Sequence, residues 1–365
     1  SKVNPKYLYY FFKSRLGRHE LLKNASQVGT PGIGQPLTSL KSIELKLPPR
    51  ELQDDIEALL TSLDNKLELN QQTNQTLEHI AQALFKSWFV DFEPTYAKIA
   101  AKQAGQDPER AAMAAISGKT VAELDQLDAA QLARLKTTAA LFPDRLVESE
   151  LGEVPEGWEV KNIDQIATRV AMGPFGSNIK TDTFVSEGVP MINGQQLRGI
   201  MLEDGDNKFI TPAHADKLIK CNAYRGDIVI THRGTLGQVS IIPENSQYER
   251  YIVSQSQCYI RPDKEQISSL FLVYYLNSYI GQHELMAYKS QVGVPSIAKP
   301  VTNIRKIQLV VPRKNVLDCF HSIVSVLHRQ ISERVNEINT LSATRDTLLP
   351  KLLSGELSPT QAEVA

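Results

Sequence analysis

Cysteine is scarce in this chain. Its 365 residues hold three, Cys221, Cys258 and Cys319, each isolated. That excludes a disulfide framework and fits a reducing compartment, and without paired spacing the cysteines make no zinc site. The seven histidines show no metal spacing either. Net charge is also lacking. Forty Lys and Arg against 41 Asp and Glu leave −1, so no overall field announces nucleic acid or a membrane. No apolar run is long enough to span a bilayer and no secretory signal is present, so no membrane partner is expected and the cytoplasm is the default. Enzyme motifs are missing. Gly118-Lys119-Thr120 matches only the end of a phosphate-binding loop: the upstream glycine position is Met113, and no strand precedes it. There is no Asn-Pro-Pro-aromatic run and no Gly-rich loop for a methyl donor. Asp263-Lys264 lacks the spaced carboxylates of a nuclease. Neither catalysis, nor a cofactor, nor a metal is expected.

What is present is ordinary hydrophobic content, 42%, in a length that suits two or three domains. Above all there is a repeat. Gly17 to Pro48 aligns without a gap on Gly281 to Pro312, an offset of 264, with fifteen identities in thirty-two positions. They include Gly17/Gly281, His19/His283, Pro31/Pro295, Ile33/Ile297, Pro36/Pro300, Thr38/Thr302 and the run Ser26 to Gly29 against Ser290 to Gly293. A repeat of this kind decides the architecture before any local reading. Each copy runs on into a long helical pattern. Ile56, Leu63, Asn70, Leu77 and Leu84 are spaced by seven, and their counterparts are Phe320, Leu327, Arg334, Leu341 and Leu348. Leu60 and Leu67, with Val324 and Ile331, are expected on the flank of the stripe. Such a stripe reads as a coiled-coil seam, and a polar residue within it, Asn70 or Arg334, fixes register. One helix on any apolar surface is the plainer alternative; the repeat favours two helices packing on each other.

The repeat is incomplete. Residues 151 to 280 precede the second shared segment, and a first counterpart would begin before Ser1. Pro5 to Pro48 therefore reads as the tail of a module whose body is absent here, in a shortened chain or a natural one-and-a-half-copy protein. Between the long helix and the second module lies an Ala-rich stretch with short helices expected over 96–105, 108–118 and 120–135. Asp107-Pro108 and the Thr120/Glu123 pair mark two helix starts. No stripe there is long enough for a core of its own. From Trp158 onward, strands are expected at 184–185, 189–192, 227–231, 238–242, 258–261 and 307–311, with a helix from Leu270 towards Met286.

This last domain is rich in base-reading side chains on loops. Phe175, Ser177, Asn178 and Lys180 lie in Gly173 to Lys180. Asn193, Gln195, Gln196 and Arg198 follow a predicted strand, as do Thr231, His232, Arg233 and Thr235. Lys289 and Gln291 fall in the repeated segment. Asn and Gln can bond adenine bidentately, and Arg guanine. Each loop alone could be an ordinary polar loop. From Glu150 to Arg313 seventeen bases face seventeen acids, so binding would rest on local clustering.

In order, Leu151-Gly152-Glu153-Val154-Pro155-Glu156-Gly157-Trp158, Gly173-Pro174-Phe175-Gly176-Ser177 with Pro190-Met191-Ile192, Arg225-Gly226-Asp227-Ile228-Val229-Ile230, and the twin ends Ala83 to Phe89 and Leu349 to Leu357 resemble the specificity subunits of type I restriction–modification systems. The likeness covers nearly the whole chain. It implies an α+β fold: mixed α/β target-recognition domains joined by two long antiparallel coiled-coil helices in a pseudo-twofold repeat. Residues 1–49 would be the remnant of the first recognition domain, 50–92 the first helical region and 93–148 an Ala-rich linker. Residues 149–313 would be the second recognition domain, and 314–365 the second helical region and tail. Helices of about 35–40 residues would reach roughly 50–60 Å and hold two half-site readers apart. The resemblance implies double-stranded DNA, methylation subunits and a restriction subunit as partners. Two other classes stand beside it: an enzyme with a coiled-coil dimer arm, which a turnover assay would reveal, and a protein-only structural adaptor, which would bind a methyltransferase without selecting DNA.

Overall fold

In the computed structural model, residues 2–23, 25, 32–175, 178–290 and 293–362 are described. The long stripes of the sequence are two continuous helices, Arg50–Phe89 and Lys314–Ser354, of 40 and 41 residues. The chain divides into two compact units, residues 1–79 with 327–365, and residues 80–326.

In the first unit the two helices run antiparallel, because residue numbers rise on one as they fall on the other. Asp64 pairs with Arg345 at 2.9 Å, Lys66 with Glu337 at 3.2 Å, and Asn74 Nδ2 donates to the carbonyl of Ile331 at 3.4 Å. That register sets Asn70 level with Arg334, its own counterpart in the repeat. Asn70 is buried and Arg334 half-buried. The stripe has two alternating seam positions, spaced by three and four as a knobs-into-holes seam requires. Ile56, Asn70 and Phe320 are buried, but Leu63, Leu77, Leu84, Leu327, Leu341 and Leu348 are half-buried. The deeper positions are Leu60, Leu67, Ala81, Val324 and Ile331. Leu60 and Leu67, with Val324 and Ile331, were expected on the flank; they are centre, because leucine spacing alone marks only one of the two rows.

A short helix pair, Pro5–Lys13 and Arg15–Leu22, lies against these helices, with Tyr7, Tyr10, Ile56, Leu60, Leu349 and Leu352 in one core. Tyr10 donates its hydroxyl to Asp64 at 3.0 Å, and Asn4 caps the first short helix.

The second unit repeats this plan. Its helix pair, Ser269–Asn277 and Tyr279–Met286, has each bound displaced by 264. The single helix expected from Leu270 to Met286 is thus two, broken at Ser278, whose hydroxyl caps the second by accepting from Gly281 N–H. Ser14 does the same for Gly17. Phe271, Tyr274, Phe320 and Phe85 stand where Tyr7, Tyr10, Ile56 and Leu349 stand in the first unit. Phe85, Trp88 and Phe89 are buried against Phe320, Phe142 and Trp158 within this unit.

The second unit also carries two larger sheets. The antiparallel four-stranded one has the order Val239–Ile241, Ile228–Thr231, Gln257–Pro262, Ala167–Met172. The five-stranded one has the order Phe184–Val185, Lys208–Ile210, Val189–Ile192, Arg250–Val253, Asn222–Tyr224, with a parallel pair at Val189–Ile192/Arg250–Val253. Val229, Ile192, Tyr251, Val253 and Tyr259 fill the core. Gln308–Val311 pairs with Glu159–Asn162. The Ala-rich stretch forms helices Glu93–Gln103, Pro108–Ser117, Val121–Leu124 and Ala129–Ala139. Asp128 caps the last of these and breaks the helix expected over 120–135. Contrary to expectation, this stretch has a small core of Ala112, Met113, Leu124 and Ala139. Lys98 is buried beside it, held by Glu109 at 2.7 Å and the Phe142 carbonyl at 2.9 Å. Among the described residues, no helix is long and apolar enough to cross a membrane.

Candidate nucleic-acid interface

The strand Ile228–Thr231 is buried throughout and delivers the next residues to the sheet's end. Here the polar side chains sort into two sets. Thr231 is buried; its hydroxyl lies 3.0 Å from Gln238 Oε1 and accepts from Gln257 Nε2 at 3.2 Å. Gln238 donates to the carbonyls of Gly194 and Leu197 at 2.9 and 3.1 Å. Gln196 is 3% exposed, and its Oε1 takes the Asn193 N–H at 2.9 Å. His232 is buried, with Nε2 3.2 Å from the Gln255 carbonyl. Burial holds its imidazole pKa below the ordinary value, and the charge of Arg233 adds to this. Gln196, Thr231 and His232 were expected to read bases. The fold instead spends them inside, because a polar end of a buried sheet must satisfy its own hydrogen bonds.

The outward set is Phe175, Asn178, Lys180, Gln195, Arg198, Arg233, Thr235 and Lys289, all exposed, with Asn193 half-buried. Asn178 donates its amide to the Phe175 carbonyl at 2.7 Å, so it shapes that loop. Arg198 Nε donates to the Gln195 carbonyl at 2.9 Å, on a turn tied to the sheet through Gln238. Asn193 Oδ1 accepts from Gln195 N–H in the same turn. Ser177 and Gln291 lie outside the described residues.

The structure brings Phe175 and Arg233 to one cavity of about 630 Å³, which is also lined by His232, Ser296, Lys299 and Thr302. The repeated loop holds the far side of that cavity in place. Ser296 bridges Arg233; Ile297 N–H donates to the His232 carbonyl at 2.8 Å and Gly234 N–H to Pro295 at 2.9 Å. Lys289 pairs with Ile297 on the next strand and so belongs to the same ladder. Lys299 and Thr302 were missed in the sequence reading. The repeat marks only Thr302, as Thr38/Thr302; Lys299-Pro300 aligns with Gln35-Pro36. Both residues before proline have left-handed backbones, φ 44° and 41°. That region is rare for residues with a side chain and disfavoured before proline, at a cost of about 1–3 kcal/mol.

A family model for the type I restriction modification DNA specificity domain matches residues 1–79 and 155–340. The type I restriction enzyme HindI specificity subunit of Haemophilus influenzae is 35% identical over 338 residues, 87% of this chain and 70% of that protein. The MjaIX specificity subunit of Methanocaldococcus jannaschii is 25% identical over 361 residues, 97% and 69% of the two chains. The crystal structure of the type I restriction–modification S subunit from M. genitalium shares the fold, with a TM-score of 0.53 at 16% identity over 96% of this chain and 73% of that one. On the family match and the identity to HindI, this chain belongs to the specificity subunits of type I restriction–modification systems, their non-catalytic components for recognising DNA sequence.

Proposed function

We propose that this chain directs methylation and restriction subunits to a bipartite double-stranded DNA site, and that residues 149–313 read one half of it. The observation that carries the reading is the cavity shared by Phe175 and Arg233 at the end of the four-stranded sheet. Arg233 is an exposed guanidinium with no ion pair among the described residues, on a backbone fixed by the Ser296–Ile297 ladder. The planar guanidinium fork on this anchored backbone suits guanine O6 and N7 in the major groove. Phe175, 66% exposed beside it, supplies an apolar contact. Lys180, Gln195, Arg198, Thr235 and Lys289 are further outward donors for bases or phosphates. The inward set, Gln196, Thr231 and His232, is left to hold the loops.

Residues 1–49 are proposed as the closing part of a first recognition domain, 50–92 and 314–365 as the helical regions, and 93–148 as a helical linker. One comparison supports the first assignment. Val273 is buried in a helix that packs on the strand Val239–Ile241, while its repeat counterpart Tyr9 is 51% exposed. The helix pair of the first unit thus presents a face that a sheet covers in the second. A protein-only adaptor is not favoured. The experiment is a duplex-selection assay on the assembled complex: Arg233→Ala should relax preference at one base pair by about 1–3 kcal/mol. Equal weakening for every sequence would remove Arg233 from base reading.

A further inference from the structure

We infer that the repeated segment Lys299 to Thr302 grips the DNA backbone regardless of sequence, beside the base-reading edge of Phe175 and Arg233. This rests on the reading that the cavity face of residues 149–313 meets DNA. Three observations carry it. The first is placement. Lys299 and Thr302 line the same cavity as Phe175 and Arg233, and both are exposed. Lys299 has no ion pair among the described residues. An ammonium and a hydroxyl are both phosphate donors.

The second is backbone shape. Lys299 has φ 41°, ψ 58° and Gln35 φ 44°, ψ 65°, each followed by proline. The same unfavourable conformation is therefore held in both copies of the loop, although the side chain differs. The third is which residues the copies share. Ile33/Ile297, Pro36/Pro300 and Thr38/Thr302 are identical, whereas Phe175 and Arg233 lie in a part of the chain that occurs once. Lys299 stands where the first copy has Gln35, so what the two copies share in this segment is the backbone shape, the proline and the Thr302 hydroxyl. They suit what every duplex offers, a phosphate at a fixed height above the groove. The ladder from Ser296–Ile297 to His232–Gly234 would then turn a backbone grip into a position for Arg233.

The test uses the full chain assembled with methylation subunits. Affinity for the selected site and for several mismatched duplexes is measured across a salt series. Lys299→Ala should weaken binding to all duplexes by a similar factor, leave their ranking unchanged, and lower the magnitude of the log–log salt slope by about one. Lys299→Arg should restore the slope. Lys299→Gly, which accepts the left-handed backbone without strain, should match Lys299→Ala and guards against misfolding. Thr302→Val should weaken all duplexes alike with the slope retained. A Lys299→Ala variant that changes preference at a base pair, or keeps wild-type affinity and slope while Arg233→Ala relaxes one position, overturns the grip and spares the base-reading face. If Arg233→Ala and Lys299→Ala both bind every duplex as wild type does, the face itself is wrong and both readings fall.

Discussion

A β-carbon on Gly281 would lie 2.1 Å from the Tyr275 carbonyl oxygen, and one on Gly17 2.0 Å from that of Phe11. These glycines are identical in the repeat because the second short helix of each pair starts directly against the last turn of the first. Gly281→Ala should destabilise its unit by about 1–3 kcal/mol or more, since backbone has to move; denaturant melts of the variant check this. His232 gives a pH prediction. Its folded pKa is depressed by burial, so the unfolded chain binds the proton first as pH falls. Stability should therefore drop as pH falls through the ordinary histidine value of about 6.5, and the loss should level off below the folded value. His232→Gln should flatten that part of the curve; an unchanged curve would mean that the ring is accessible. At this scale the sequence showed residue types but not their direction. Arg233 and Gln196 look equally suited to read bases, and only the sheet end decides that one faces out and the other closes a turn.

For the long helices, the decisive quantity is which seam row lies deeper. Leu60 is 0% exposed and Leu63 half-buried. Leu60→Ala should cost about 2–5 kcal/mol as a buried truncation, and Leu63→Ala clearly less; equal costs would contradict the register. Asn70, buried with its amide nitrogen lacking a partner among the described residues, is a weak point in stability terms. Asn70→Leu should raise the melting temperature, at the expense of the register that a polar seam residue fixes. The helices were readable because a stripe with period seven persists over many turns. Strands such as Arg250–Val253 and Asn222–Tyr224 were not. They are short and buried on both faces, so they show no alternation. The Ala-rich core was hidden for a related reason: Ala112 and Ala139 bury little area each and form a core only when helices meet.

For the whole molecule the repeat is the organising fact. The same helix pair, glycine contact, loop bridge and long helix recur 264 residues apart. Ala25 bridges Ile33 as Lys289 pairs with Ile297. This much was legible from fifteen identities, because a repeat is read by register and needs no knowledge of loop geometry. Base choice was not legible, since it depends on how exposed side chains are aimed. The central claim is that the chain selects DNA sequence and leaves the chemistry to its partners. Its most direct test is selection from a random-duplex pool by this chain assembled with methylation subunits. The account predicts enrichment of a defined sequence in which one base position relaxes in the Arg233→Ala complex. A pool that stays random would contradict it, whereas an enriched sequence that Arg233→Ala leaves untouched at every position would move base reading to other residues of the domain.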